Sequence, residues 1–154
     1  MTKKTTIGIV ALLFATLASA QKPAAVLDST TFRGYFSNEE YNIYIRLDAY
    51  TQNILVPQQE IYGKLPGFLG DHKDSRKWLF TNVEIVDASS LSIDIINDYG
   101  SEDLNATLTR ENDSTFVLKQ EAGSILKIAR NRKWVKLPKK LTFIKKIEGY
   151  KDEE

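Results

Sequence analysis

Between residues 41 and 50 the side chains alternate. Tyr41, Ile43, Ile45, Leu47 and Ala49 share one parity, and Asn42, Tyr44, Arg46, Asp48 and Tyr50 share the other. Successive residues of an extended chain face opposite ways, so a period of two predicts a strand with one buried face. Residues 51–53 read as a turn and 54–56 as a short returning strand stopped by Pro57, together a hairpin. The alternation returns at Val83, Ile85 and Asp87, and again, past a turn at 88–90, at Leu91, Ile93 and Ile95. Leu104, Ala106 and Leu108 alternate with Asn105, Thr107 and Thr109, and the polar turn 111–113 leads into 115–120. Asn and Asp in that turn can satisfy their own backbone.

Bends at 121–123 and 130–132 set off extended segments over 124–129 and 133–137, and the run 141–147 makes a last strand. With 32–36 added, roughly eight to ten strands joined by short links are expected, the spacing of a barrel or sandwich. The mature sequence has no window of helical apolar periodicity; one or two helical turns near 23–28 or 37–40 are the most it allows. Gly63, Pro66, Gly67 and Gly70 punctuate 62–77, which reads as the longest loop. The fold class is therefore all-β, an antiparallel meander.

The first twenty residues depart from this pattern. Basic Lys3 and Lys4, an apolar run over 7–17 and the small triplet Ala18-Ser19-Ala20 form a signal peptide, with cleavage expected before Gln21. The apolar run falls short of the ~20 residues that cross a bilayer, so no membrane span is expected. A lipid anchor of the bacterial type would need a cysteine, and the chain has none. The expectation is one domain over 21–154, ending in a polar, acidic tail over 148–154, soluble in the periplasm or secreted. The chain carries 21 Lys and Arg against 20 Asp and Glu; without Lys3 and Lys4 the balance is 19 to 20. Near-neutrality gives no support to a nucleic-acid partner.

Candidate chemistry is sparse. The single histidine sits in Asp71-His72-Lys73-Asp74, a sequence better read as a solvated loop than as a metal site, because adjacent residues diverge and Lys73 repels a cation. The acidic run 97–103 lacks the spacing of a calcium loop. No serine motif frames a nucleophile, and without cysteine there is no thiolate, so no enzyme activity, cofactor or metal is expected. Aromatic residues crowd the first half, and Arg46, between Tyr44 and Asp48, is either an exposed cation or the anchor for a carboxylate headgroup.

Phe32-Arg33-Gly34-Tyr35-Phe36 is similar to the first-strand G-x-W signature of lipocalins, with Gly34 in place and Phe36 at the tryptophan position. The closing run Leu141-Thr142-Phe143-Ile144-Lys145-Lys146 resembles the final strand of small exported bacterial lipocalin-like proteins. The resemblance implies a barrel of roughly eight strands, with a β-sandwich as the alternative, and an interior able to hold one small molecule. The first expectation is thus a non-enzymatic binding protein for a small apolar or amphipathic ligand, with Tyr44, Arg46, Tyr62 and Trp78 as ligand-binding residues. The second is an envelope interaction module that binds a protein partner or surface glycan through an outer sheet face. A carboxylate-based hydrolase ranks last.

Overall fold

The computed structural model describes residues 29–147. The leader at 1–20, the helical turn allowed at 23–28 and the acidic tail at 148–154 lie outside them. Twelve strands follow one another: β1 (Arg33–Asn38), β2 (Ile43–Asp48), β3 (Ile54–Leu55), β4 (Lys64–Leu65), β5 (Gly67–Asp71), β6 (Asp74–Asp87), β7 (Ser90–Asn97), β8 (Asp103–Arg110), β9 (Thr115–Gly123), β10 (Lys127–Arg130), β11 (Lys133–Lys136) and β12 (Lys140–Lys145). Eight of them, β1, β2, β5, β6, β7, β8, β9 and β12, pair in that order as antiparallel neighbours, and β12 returns to β1. Closure is made by Phe36 opposite Lys145 and Ser37 opposite Ile144. Of the two architectures expected, the closed barrel is the one adopted, an up-and-down order compatible with the lipocalin resemblance.

The alternation explains the closure. Ile43, Ile45 and Leu47 of β2, Leu91, Ile93 and Ile95 of β7, and Leu104, Ala106 and Leu108 of β8 all point inward and are buried. Five phenylalanines, Phe32, Phe36, Phe80, Phe116 and Phe143, are fully buried among them. Phe116 meets Phe36 edge-on at 4.8 Å between ring centroids and Phe32 at 6.1 Å. Each such side chain contributes about 1.5–3 kcal/mol by leaving water. An eight-stranded barrel is narrow enough for side chains to fill, and here they do. Phe36, at the signature's tryptophan position, is part of that filling.

Two excursions leave the barrel. The first, residues 49–66, corrects the hairpin expected after β2. Strand β3 does not return along β2; it pairs with β4, Ile54 opposite Leu65 and Leu55 opposite Lys64. Left-handed backbone at Gln52 and Gln58 and a 3₁₀ turn over Glu60–Tyr62 redirect the chain. The excursion lies as a strap on the outer face, where Val56 and Leu65 pack with Phe68 and Leu79. Its cause is a stretch of sheet that is apolar on both faces: Leu69 and Phe80 point in while Phe68 and Leu79 point out, and the outer pair needs cover.

The loop expected over 62–77 is a second correction, since it forms β4, β5 and the start of β6. Its glycines mark close approaches. A Cβ on Gly67 would lie 2.2 Å from the carbonyl oxygen of Arg46, and one on Gly70 would lie 2.3 Å from the Tyr44 ring. The bend expected at 121–123 is likewise strand, since β9 runs through to Gly123 opposite Leu104. At the far end of β6, Ile85 keeps the inward parity opposite Leu91 but stands partly exposed.

The second excursion, residues 124–139, carries the β10–β11 hairpin across the end of the barrel at which the turns 39–42 and 72–73 and the loop 98–102 also gather. Leu126, Ile128 and Leu137 enter the inner cluster and close that end. Buried Gln120 ties both legs of the cap: its Nε2 donates to the carbonyl oxygens of Leu137 and Pro138, and its Oε1 accepts from the Leu126 N–H at 2.7 Å. On the opposite wall, Arg130 grips Asp71 with two bonds of 2.6 and 2.9 Å and donates to the Tyr41 carbonyl.

Candidate functional site

Three surface clefts stand out, and none is lined by the five buried phenylalanines. One of about 330 Å³ runs beside the turn 39–41 and the start of β12. Another, of about 750 Å³, follows β1 and β2 past Arg33, Arg46 and Lys145 and adjoins both ends of the described chain. The third, of about 240 Å³, opens at the capped mouth and is the one with exposed aromatic walls.

Three elements build this mouth cleft. The β7–β8 loop is locked by Asn97, whose Oδ1 accepts the N–H groups of Ser101 at 2.8 Å and Glu102 at 3.1 Å. Left-handed Gly100 completes the turn by donating its N–H to the Asn97 carbonyl. This rigid loop presents Tyr99, which is 80% exposed. The start of β6 supplies Asp74, Arg76, Lys77 and Trp78. Trp78 is buried and forms the floor, and its Nε1 donates to the Lys127 carbonyl at 3.1 Å, fastening cap to wall. The cap itself supplies Lys127 and Trp134, the latter 56% exposed. Guanidinium and ammonium groups flank its indole, Arg76 at 4.8 Å and Lys127 at 5.5 Å from the ring centroid.

Three ion pairs surround the cleft, while the Lys77 ammonium donates to the Ser75 carbonyl. Lys127 Nζ donates to Glu102 at 2.9 Å, Arg76 faces Asp74 at 3.7 Å, Arg130 holds Asp71, and Asp98 accepts the Lys77 backbone N–H at 3.2 Å. Among the described residues no three His, Asp or Glu side chains converge as a metal site requires. A carboxyl held below its ordinary range lies elsewhere, at Asp48. Burial pushes Asp48 up, but the Thr51 hydroxyl, the N–H groups of Thr51 and Tyr50, and Arg33 outweigh it, and its carboxyl is held below the ordinary range.

The four residues singled out from the sequence do not share a cleft. Trp78 floors the mouth cleft. Tyr62 stands on the strap, and its hydroxyl reaches the Asp98 carbonyl, at the loop that bounds the cleft. Arg46 lines the groove along β1 and β2. Tyr44 lies on the outer face over Gly70, stacked on Tyr35 at 5.2 Å and close to His72, whose Nε2 is 3.1 Å from the Tyr35 hydroxyl. The sequence reading passed over Arg76, Tyr99, Glu102, Lys127 and Trp134. Two signals were present: the triplet Arg76-Lys77-Trp78 returns as Arg132-Lys133-Trp134, and Trp134 sits in a strand with no apolar face to hide it.

No family model matches the chain, and neither a curated protein nor a solved structure does.

Proposed function

We propose that this chain is an exported, non-enzymatic binding protein whose recognition site is the mouth cleft between the cap hairpin and the loop 97–103. The carrying observation is the pairing of a filled barrel with an open cleft: the interior is occupied by phenylalanine and aliphatic side chains, while Trp134 and Tyr99 stand in solvent around these ion pairs. Large aromatic side chains left in water beside converging polar groups are the usual mark of a recognition surface. A ligand inside the barrel would have to displace close-packed rings, so the weight moves toward the second sequence expectation, a protein or glycan partner, with the site at the mouth and not on an outer sheet face. The leader pattern at 1–20 supports export to the periplasm or beyond. A hydrolase remains the poorest account, since the cleft's carboxylates are engaged by cations or backbone donors.

A library of glycans, metabolites and lipids screened by thermal shift, followed by hydrogen exchange on each hit, tests the site. Protection of residues 97–103 and 127–134 is expected. Protection spread along the inward strands, with the mouth unaffected, would return the ligand to the interior and defeat this reading.

A further inference from the structure

We infer that the group seated in the mouth cleft is a neutral, hydroxylated ring, one saccharide unit of a longer glycan; this rests on the cleft being the recognition site. Size argues first. Clefts that enclose drug-sized ligands run to roughly 300–1,000 Å³, whereas this one holds about 240 Å³ and opens to solvent. It takes a single ring and lets the remainder of the molecule pass outside.

Charge argues next. Asp74 faces Arg76, Glu102 receives Lys127, and Asp98 receives the Lys77 N–H. An ionic ligand would have to compete with these partly exposed ion pairs or lie beside a like charge, and gains little either way. A purely apolar ligand would cover charged groups without replacing their water. Hydroxyl groups avoid both penalties, because each donates to a carboxylate lone pair left over from the ion pair and accepts an ammonium or guanidinium proton left over on the other side. The lining is therefore polar enough to demand hydrogen bonds and, with both signs of charge side by side, gives an ion of either sign no one-sided attraction.

The aromatic residues supply the remaining element. The Arg76 guanidinium and the Lys127 ammonium lie over the Trp134 ring, 4.8 and 5.5 Å from its centroid, and hold the indole in place, while the residue stays 56% exposed and keeps apolar surface beside them, a plate for packing. Pyranose rings carry one face of C–H groups that pack on such a plate while their equatorial hydroxyls point sideways. Glu102, Asp98, Lys127 and Tyr99 line the same cleft as Trp134. Plate, flanking hydrogen-bonding groups and shallow opening are all accounted for by one ligand class.

The test uses the fluorescence of the two tryptophans together with calorimetry. Probes are neutral tetrasaccharides of glucose, galactose and N-acetylglucosamine, uronic-acid tetrasaccharides, and palmitate. Binding of a neutral tetrasaccharide is expected, with a change in emission that W134A removes, an affinity loss of about tenfold or more in both W134A and Y99A, and little response to salt. Binding confined to palmitate or to the uronic-acid probes, yet lost in W134A, would overturn the saccharide and leave the cleft standing. Binding of any probe that survives both variants would overturn the saccharide and the cleft together. Failure of every neutral probe would overturn the saccharide alone. Both substitutions fall on exposed side chains, so unchanged melting of the variants separates lost recognition from lost folding.

Discussion

The strap over 49–66 and the cap over 124–139 are both excursions that carry a two-stranded ladder, yet they are attached to the barrel in opposite ways. The strap touches the main core only through its first residues, Ala49 and Tyr50, and its body lies on an outer face in a small separate cluster around Phe68 and Leu79. The cap sends Leu126, Ile128 and Leu137 into the inner cluster and is tied by Gln120, Arg130 and the Trp78 indole. Sharing the main core makes the cap part of the cooperative unit, whereas a satellite cluster can open by itself at lower free energy. A binding site that borrows one wall from the cap thus stands on the rigid side of the molecule.

Matched truncations break the comparison most directly. Leu137 and Leu65 are both buried leucines. L137A is expected to cost about 3–4 kcal/mol in chemical denaturation and L65A about 1–2, the difference reflecting how readily each site collapses. Hydrogen exchange should show strap amides opening below the global free energy in L65A, with cap amides unchanged. Equal losses and equal exchange would mean that strap and cap are one unit.

Next in size is the polar tie. R130M leaves Asp71, whose side chain is 4% exposed, without its cation. Removing one partner of a buried pair costs about 3–5 kcal/mol, and partial exposure of Arg130 lowers the expectation to about 2. Adding D71N should restore part of that loss, and no recovery would show that Arg130 acts through the Tyr41 carbonyl instead.

The strap's own polar anchor is Asp48, which receives the Thr51 hydroxyl and the Tyr50 and Thr51 N–H groups. Because its folded-state pKa is lowered, its contribution is complete above the ordinary carboxylate value of about 3.9 and disappears as pH falls through the lowered value. D48N should cost about 1 kcal/mol at neutral pH and nothing at the acid end of that window. A D48N penalty that persists undiminished into strong acid would assign the effect to packing. The smallest effect sharpens the contrast from the other direction: W134A, at an exposed position of the cap, should change stability by no more than about 0.5 kcal/mol.

Legibility in the sequence follows from which face of each strand is apolar. Strands β2, β7, β8, β9 and β12 were readable because one parity is apolar and the other polar. The strap was not, because Phe68, Leu79 and Ile96 put apolar side chains on the outward parity as well, and strands of two residues have no period. Gly67 and Gly70 signalled a loop and instead let strands approach, a distinction that depends on what lies opposite. The mouth cleft was out of reach for another reason: Arg76, Tyr99 and Trp134 come from three elements and meet only through barrel closure. Trp78, expected from the sequence as a ligand-binding residue, is buried at the base of the cleft, and its place there depends on the cap.

Pairing of β1 with β12 has a temporal consequence. The first barrel strand finds its second neighbour in the last one to be made, more than a hundred residues later. Until β12 docks, the folding sheet therefore has two raw edges, and the loop entropy of joining them is met late. Loss of even the terminal strand should leave an unclosed, sticky sheet instead of a slightly smaller barrel.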